Sequence, residues 1–345
     1  MFTMKKTACL GFSLLFLWAL AIPGFAQTPA PAAVTNLYRA WFEEKDPAKK
    51  TQLAEQFITN ADPAFKASQY LAYLYQQVYS DYVKAQNWTK VMDLADKLPT
   101  LVPNADNNLK TYVFTQTMAV ANQNNNAAKT IEYGDKLLGI DPTNLNALMF
   151  VPTAILSSLP AADPAKDAAL TKAQDYAKKM LAAPKPMGVG DADWATIQGQ
   201  ARFTVGFSHL AKGAYAEAIT ELEEAVKLNK KDDQSHYNLG LSYNGLLPDA
   251  QREVIAAYDE ENAAKTALKP QEEIDQIAAK RTTLETDFRA KRDLAIDAFA
   301  RAVALAGPTA GPARTQFERL YKQKNAEATA EEMDQFIAQK KAELG

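Results

Sequence analysis

From Asn36 to the C-terminus, apolar residues recur every three or four positions almost without interruption. Ala218-Ile219, Leu222, Ala225-Val226 and Leu228 are typical. That spacing gathers them on one face of a helix. No run alternates apolar and polar β-branched residues as a half-buried strand does. The pattern therefore predicts an all-α chain of helices of roughly 12–20 residues. Short breaks separate them at Ala61-Asp62-Pro63, Val102-Pro103-Asn104, Asp141-Pro142-Thr143 and Ala183-Pro184-Lys185. The prolines of these breaks lie 40, 39 and 42 residues apart. A helical period of this length is the signature of stacked helix pairs, none of which can bury its apolar face alone.

The clearest unit starts near Thr196. Gly206 lies within its first helix, Lys212-Gly213-Ala214-Tyr215 forms a turn, and Ala218, Leu222 and Ala225 mark the second helix. Leu239, Gly240 and Tyr243 follow, with His236 where the pattern W-x2-L-G-x2-Y has Trp, and Lys230 stands at the closing Pro. Ala295, Phe299 and Ala302 supply the next second helix, closed by Gly307-Pro308. These residues resemble the tetratricopeptide repeat. The resemblance is strong over Thr196–Gly307 and looser over Asn36–Pro184, where Tyr79 and Met118 stand at the small position. There, Trp88 matches the aromatic that opens a second helix. It implies a right-handed solenoid of antiparallel helix pairs, about five plus a C-terminal pair. Gly206, Gly240, Ala218, Ala225 and Ala302 are then expected at close helix crossings.

The last full repeat is interrupted over 247–292. Pro248-Asp249 reads as the start of a new helix reaching Leu268, and Lys269-Pro270 as a break. One helix is then expected from Pro270 to Ala306. Ile274, Ile277, Leu284 and Phe288 form its seam, with Arg281 at the missing step. The segment reads as a charged helical hairpin that either projects from the array or folds back on it.

The N-terminus has a different character. Lys5-Lys6 precede an uncharged apolar run from Ala8 to Ile22, then Pro23 and Gly24-Phe25-Ala26. This is the pattern of a secretory signal cleaved after Ala26. The run is short of the ~20 residues that span a bilayer as a helix. Cleavage removes the only cysteine, Cys9, and leaves 36 basic against 41 acidic residues, a net charge of −5. The balance gives no basic surplus for nucleic acid. A body with 58 of the chain's 62 Ala and no Cys, behind a compact signal, suits the bacterial periplasm. The expected layout is a signal peptide over 1–26 and a flexible linker over 27–34. Divergent helix pairs follow over 35–184, repeats with their insertion over 191–307, and capping helices over 308–345.

Little in the chain suggests catalysis. His209 and His236 are the only histidines and both fall within repeat helices. H-E-x-x-H, G-x-S-x-G, Walker and EF-hand motifs are absent, and Gly188-Val189-Gly190-Asp191 follows no strand. No catalytic residue, cofactor or metal is expected. Binding surface is the stronger lead. Equal offsets from Gly206 and Gly240 place Phe203 and Phe207 in the same rows as Tyr237 and Leu241, with Leu210 one turn further. In the family these positions face the groove. Relatives that grip a peptide carboxylate have Lys and Asn there, so that activity is not carried over, and an apolar seat for a protein or peptide segment fits better. Tyr75, Tyr79 and Tyr82 form a tyrosine stripe that offers a second interface or core packing. The expectation is an exported, non-catalytic protein–protein interaction scaffold of the bacterial cell envelope. A ligand-binding protein or enzyme using groove and insertion together is the alternative, and a structural subunit of a membrane-associated envelope complex a third.

Overall fold

The computed structural model describes residues 31–160 and 163–345. The signal segment over 1–26 and the first residues of the expected linker lie outside the described residues. Every regular element among the described residues is a helix. The described residues divide into two compact units, one ending at Ile140 and the other beginning at Asp141.

The first unit holds α1 (Ala32–Glu43), α2 (Pro47–Thr59), the short α3 (Pro63–Lys66), α4 (Leu71–Lys84), α5 (Trp88–Leu101), α6 (Asn107–Gln123) and α7 (Ala127–Ile140). Helix α1 begins at Ala32, inside the stretch read as a spacer. Ala-Ala favours helix, and Val34 in its first turn is buried. The pairs α1/α2, α4/α5 and α6/α7 stack through α2 against α4 and α5 against α6. Polar side chains start the helices: Asp46 accepts from Lys49 N, Asn87 from Lys90 N, and Asp106 from Leu109 N. Each supplies an acceptor to an N–H that has no partner within its helix.

The second unit holds α8 (Leu145–Ser157), α9 (Asp163–Ala182), α10 (Asp191–Ala211), α11 (Tyr215–Leu228), α12 (Asp233–Thr266), α13 (Gln271–Ala304), α14 (Ala310–Lys324) and α15 (Ala330–Leu344). Among the described residues the two units hold six pairs and the C-terminal pair, one more than the spacing suggests. The fold class is an all-α solenoid of helix pairs. The second unit's core runs from Phe203 through Ala218, Leu222 and Phe299 to Phe317 and Met333.

The turn between the helices of a pair recurs. Gln86, Asn125 and Gly213 adopt φ of 55°, 54° and 74°. In each, the following N–H donates five residues back, Asn87 to Tyr82, Asn126 to Ala121, and Ala214 to His209. Leu268 repeats the geometry, with φ 51° and Lys269 N donating to Ala264 O. Segment 247–292 is therefore not a separate hairpin inserted into a repeat. It lengthens both helices of one pair and carries the ordinary turn outward.

Pro248 sits inside α12 and does not break it. An interior Pro costs an isolated helix ~3 kcal/mol. Here Leu247, Ala250 and Ala257 are buried along a helix packed lengthwise against α13, and that burial offsets the loss. Beyond the main core the lengthened pair has a small one of its own, Ala264, Ile274 and Ile277. Arg281 stands at the next seam position. Its Nε donates to Glu261 at 2.6 Å, it pairs with Glu285, and its guanidinium lies over Tyr258 at 4.6 Å.

Candidate partner-binding surface

Gly206 and Gly240 set the surface's register. A Cβ on Gly206 would lie 2.7 Å from Leu222 Cγ, and one on Gly240 2.7 Å from the Phe299 ring. Each glycine thus faces the second helix of its own pair, Gly206 meeting Leu222 and Ala218 of α11 and Gly240 meeting Phe299 of α13. A larger residue could not sit at either crossing without moving a side chain that is already buried.

That register turns Phe207 and Leu210 on α10, and Tyr237 and Leu241 on α12, to a half-buried strip over the second unit's core. Helix α10 packs against α12 and also against α8, so the first helices of successive pairs lie side by side. Phe203 belongs below the strip. It is buried in the core and its ring lies 6.0 Å from Phe207. Tyr237 rests on Phe299 at 5.9 Å, so its ring serves both core and surface.

Polar residues extend the strip beyond the five residues expected from the sequence. Asn244 continues the face of Tyr237 and Leu241 one turn on, and Arg319 of α14 donates to its Oδ1 at 2.8 Å. Arg319 also donates to Gln316. Nothing in the repeat pattern reaches Arg319, because α14 lies outside the segment that carries the repeat signature. The only usable signal was Asn244 at seven residues after Tyr237.

The tyrosine stripe is core. Tyr75 and Tyr79 are fully buried. Tyr75 donates to Leu94 O at 2.7 Å, and Tyr79 bonds Val113 O and Thr117 Oγ1 at 3.0 and 2.7 Å. Burial pushes both phenols well above the usual tyrosine range. Tyr82 is half-buried and spends its hydroxyl on Glu55 at 2.5 Å. The helix turns α4 so that residues 71, 74, 75, 78 and 79 all face inward, a stripe wider than the one assumed from Leu71, Leu74 and Val78. Burial takes Tyr75 and Tyr79 out of the expected second interface, and Tyr82 remains at the surface.

Both histidines are engaged. His236 fills the Trp position, with Nε2 3.1 Å from Lys230 O and Nδ1 buried without a partner. Burial lowers its pKa. His209 Nε2 meets the Gln174 amide at 2.8 Å. Among the described residues no three of His, Cys, Asp and Glu converge as a metal would require. No helix among them is long and apolar enough to cross a membrane.

Residues 206–246 match the family model described as TPR repeat. These are the residues whose glycines and flanking side chains build the strip, and they carry the match to a tetratricopeptide repeat. That fold binds protein partners generally and is typically non-catalytic, so in broad terms the chain is a protein-interaction scaffold. Two crystal structures of MamA are similar in outline. One is 15% identical with a TM-score of 0.39, covering 68% of this chain and 91% of that one. The other is 16% identical with a TM-score of 0.37, covering 65% and 91%. Both likenesses are too loose to inform function. No curated protein matches the chain significantly.

Proposed function

We propose that the chain is a non-catalytic scaffold of the bacterial cell envelope that seats a segment of another protein on the strip of Phe207, Leu210, Tyr237 and Leu241. The observation that carries the reading is the shared register. Gly206 and Gly240 hold adjacent first helices so that apolar side chains at equal offsets stay half-exposed over a packed core. Anchors of this kind exclude water from a partner's side chains while the scaffold beneath stays rigid. Asn244 and Arg319 at the margin supply hydrogen bonds that fix the orientation of an extended or helical segment. Export rests on the leader pattern of residues 1–26.

A photo-crosslinking residue placed at Leu210 or Leu241 should capture one partner protein, and the same residue at Lys227 on α11 should not. Equal capture from the three positions would sink the strip as the binding face. Export has its own check: N-terminal sequencing of protein from the periplasm should begin at Gln27, and cytoplasmic protein retaining Met1 would remove the envelope assignment.

A further inference from the structure

The first helix pair carries a feature that the strip does not use. Tyr38 and Trp41 of α1 meet Tyr70 and Tyr73 around α4, and Phe42 lies beside Tyr38. Tyr38 stacks on Tyr70 at 3.8 Å, and Trp41 meets the Tyr73 edge at 5.7 Å. Phe42 and Tyr73 are 65% and 47% exposed, an unusual outlay of aromatic surface. Trp41 also floors a cleft of about 740 Å³ between the α1–α2 junction and the last turns of α4.

Three lysines line that cleft, Lys45, Lys50 and Lys84. Among the described residues none of them pairs with a carboxylate. Lys50 lies over Trp41 at 4.6 Å, held by the ring's negative face rather than by an acid. The acids beside them form no ion pair with these lysines and turn an oxygen to neutral donors instead. Glu44 Oε1 accepts from Lys45 N and Asp46 N at 2.8 and 2.9 Å, and Asp81 Oδ2 accepts from the Thr51 hydroxyl at 2.9 Å. Along α4, Tyr73, Gln77, Asp81 and Lys84 share one face, so the exposed ring runs directly into the lysines.

We propose that this cleft is a second docking site, which takes an acidic segment of a partner protein bearing an aromatic or other large apolar side chain. The segment's carboxylates lie on Lys45, Lys50 and Lys84, and its apolar side chain packs on Tyr73 and Phe42. Charge complementarity commits the site to carboxylates, and the exposed rings commit it to an apolar neighbour. Glu43, Glu44 and Asp81 bound the patch. It therefore suits a few charges on a short segment rather than the continuous charge of a nucleic-acid backbone.

A short fluorescein-labelled peptide with one Trp set between pairs of Glu is titrated into the full chain and followed by anisotropy. Saturable binding is expected. The double change Lys50→Gln and Lys84→Gln should weaken it roughly fivefold or more, since each exposed ion pair adds a modest share. Tyr73→Ala should weaken it as well, as should Gln in place of Glu in the peptide, while Leu241→Ala leaves it unchanged. Circular dichroism should show each variant folded. Four results overturn the site: binding indifferent to the lysine changes, equal binding of the Gln peptide, equal competition by a single-stranded oligonucleotide of matched charge, or self-association of the parent that the lysine changes abolish. The strip of Phe207 and Tyr237 stands or falls separately, on its own crosslinks.

Discussion

At Gly240 a single hydrogen stands between two helices. The Phe299 ring occupies the space a Cβ would need. Gly240→Leu should lower stability by about 3 kcal/mol or more, at the upper end of overpacking costs, because the ring it displaces is fully buried. Urea melts give the number, and a parent-like midpoint would refute the crossing. His236 makes a second prediction at this scale. Its folded pKa lies below the 6.5 of the free side chain, chiefly through burial, with Arg301 nearby adding to the effect and Asp232 and Asp297 opposing it. The unfolded chain thus binds the proton more readily. Stability should be full above about pH 6.5 and decline as pH falls through the lowered folded value. The carboxylates held low by ion pairs, Asp96, Glu132 and Asp297, lose their contribution only in a more acidic window. Urea midpoints at pH 7.5 and 5.5 should therefore differ in the parent and converge in His236→Gln.

Among the elements, the lengthened pair α12/α13 carries a cation in its seam, while Lys265 and Arg289 flank the same two carboxylates from outside. Arg281 balances Glu261 and Glu285 at a seam position that otherwise takes an apolar side chain. Arg281→Ala leaves two facing carboxylates without it. Hydrogen exchange should speed up along residues 255–290 while the repeat helices α10 and α11 stay protected. Uniform protection along α12 and α13 would show that the seam's aliphatic contacts suffice. These helices also show how far the pattern of residues could be read. The helix after Pro270 was legible because its seam and its acidic first turn are local. The continuity of α12 through Pro248 was not, because proline's penalty is local and the packing that outweighs it comes from residues some forty positions away. The rows of Phe207, Tyr237 and Leu241 were legible for the same reason as the seam, since two glycines fix them, but the burial of Phe203 was not. The buried tyrosines were not, since an amphipathic side chain reads alike at a surface and in a core with a carbonyl within reach.

Taken whole, each unit is a row of helix pairs, and a row must be closed. Helix α15 closes the second unit on α13. Lys340 reaches Asp297 at 2.7 Å, Arg301 pairs with Glu343, and Phe336 packs on Phe317 and Tyr321 at 5.9 and 5.5 Å. Ending the chain at Asn325 removes this cover from Phe317, which is fully buried in the complete protein. The truncated protein should unfold at lower urea and self-associate, as uncapped arrays do. Sedimentation velocity reads the second effect, and a stable monomer would show that α14 alone closes the row. The turn at Leu268 has a consequence of a different sort. Because it is the same turn that joins ordinary pairs, the length of the arm is independent of the way it ends. Matched additions or deletions of whole heptads on α12 and α13 preserve the seam, so the arm can be drawn out or shortened like a telescoping rod. Its reach, roughly 30 Å from Leu247 to Leu268, is then an adjustable dimension of the scaffold, open to change without disturbing the strip at its base.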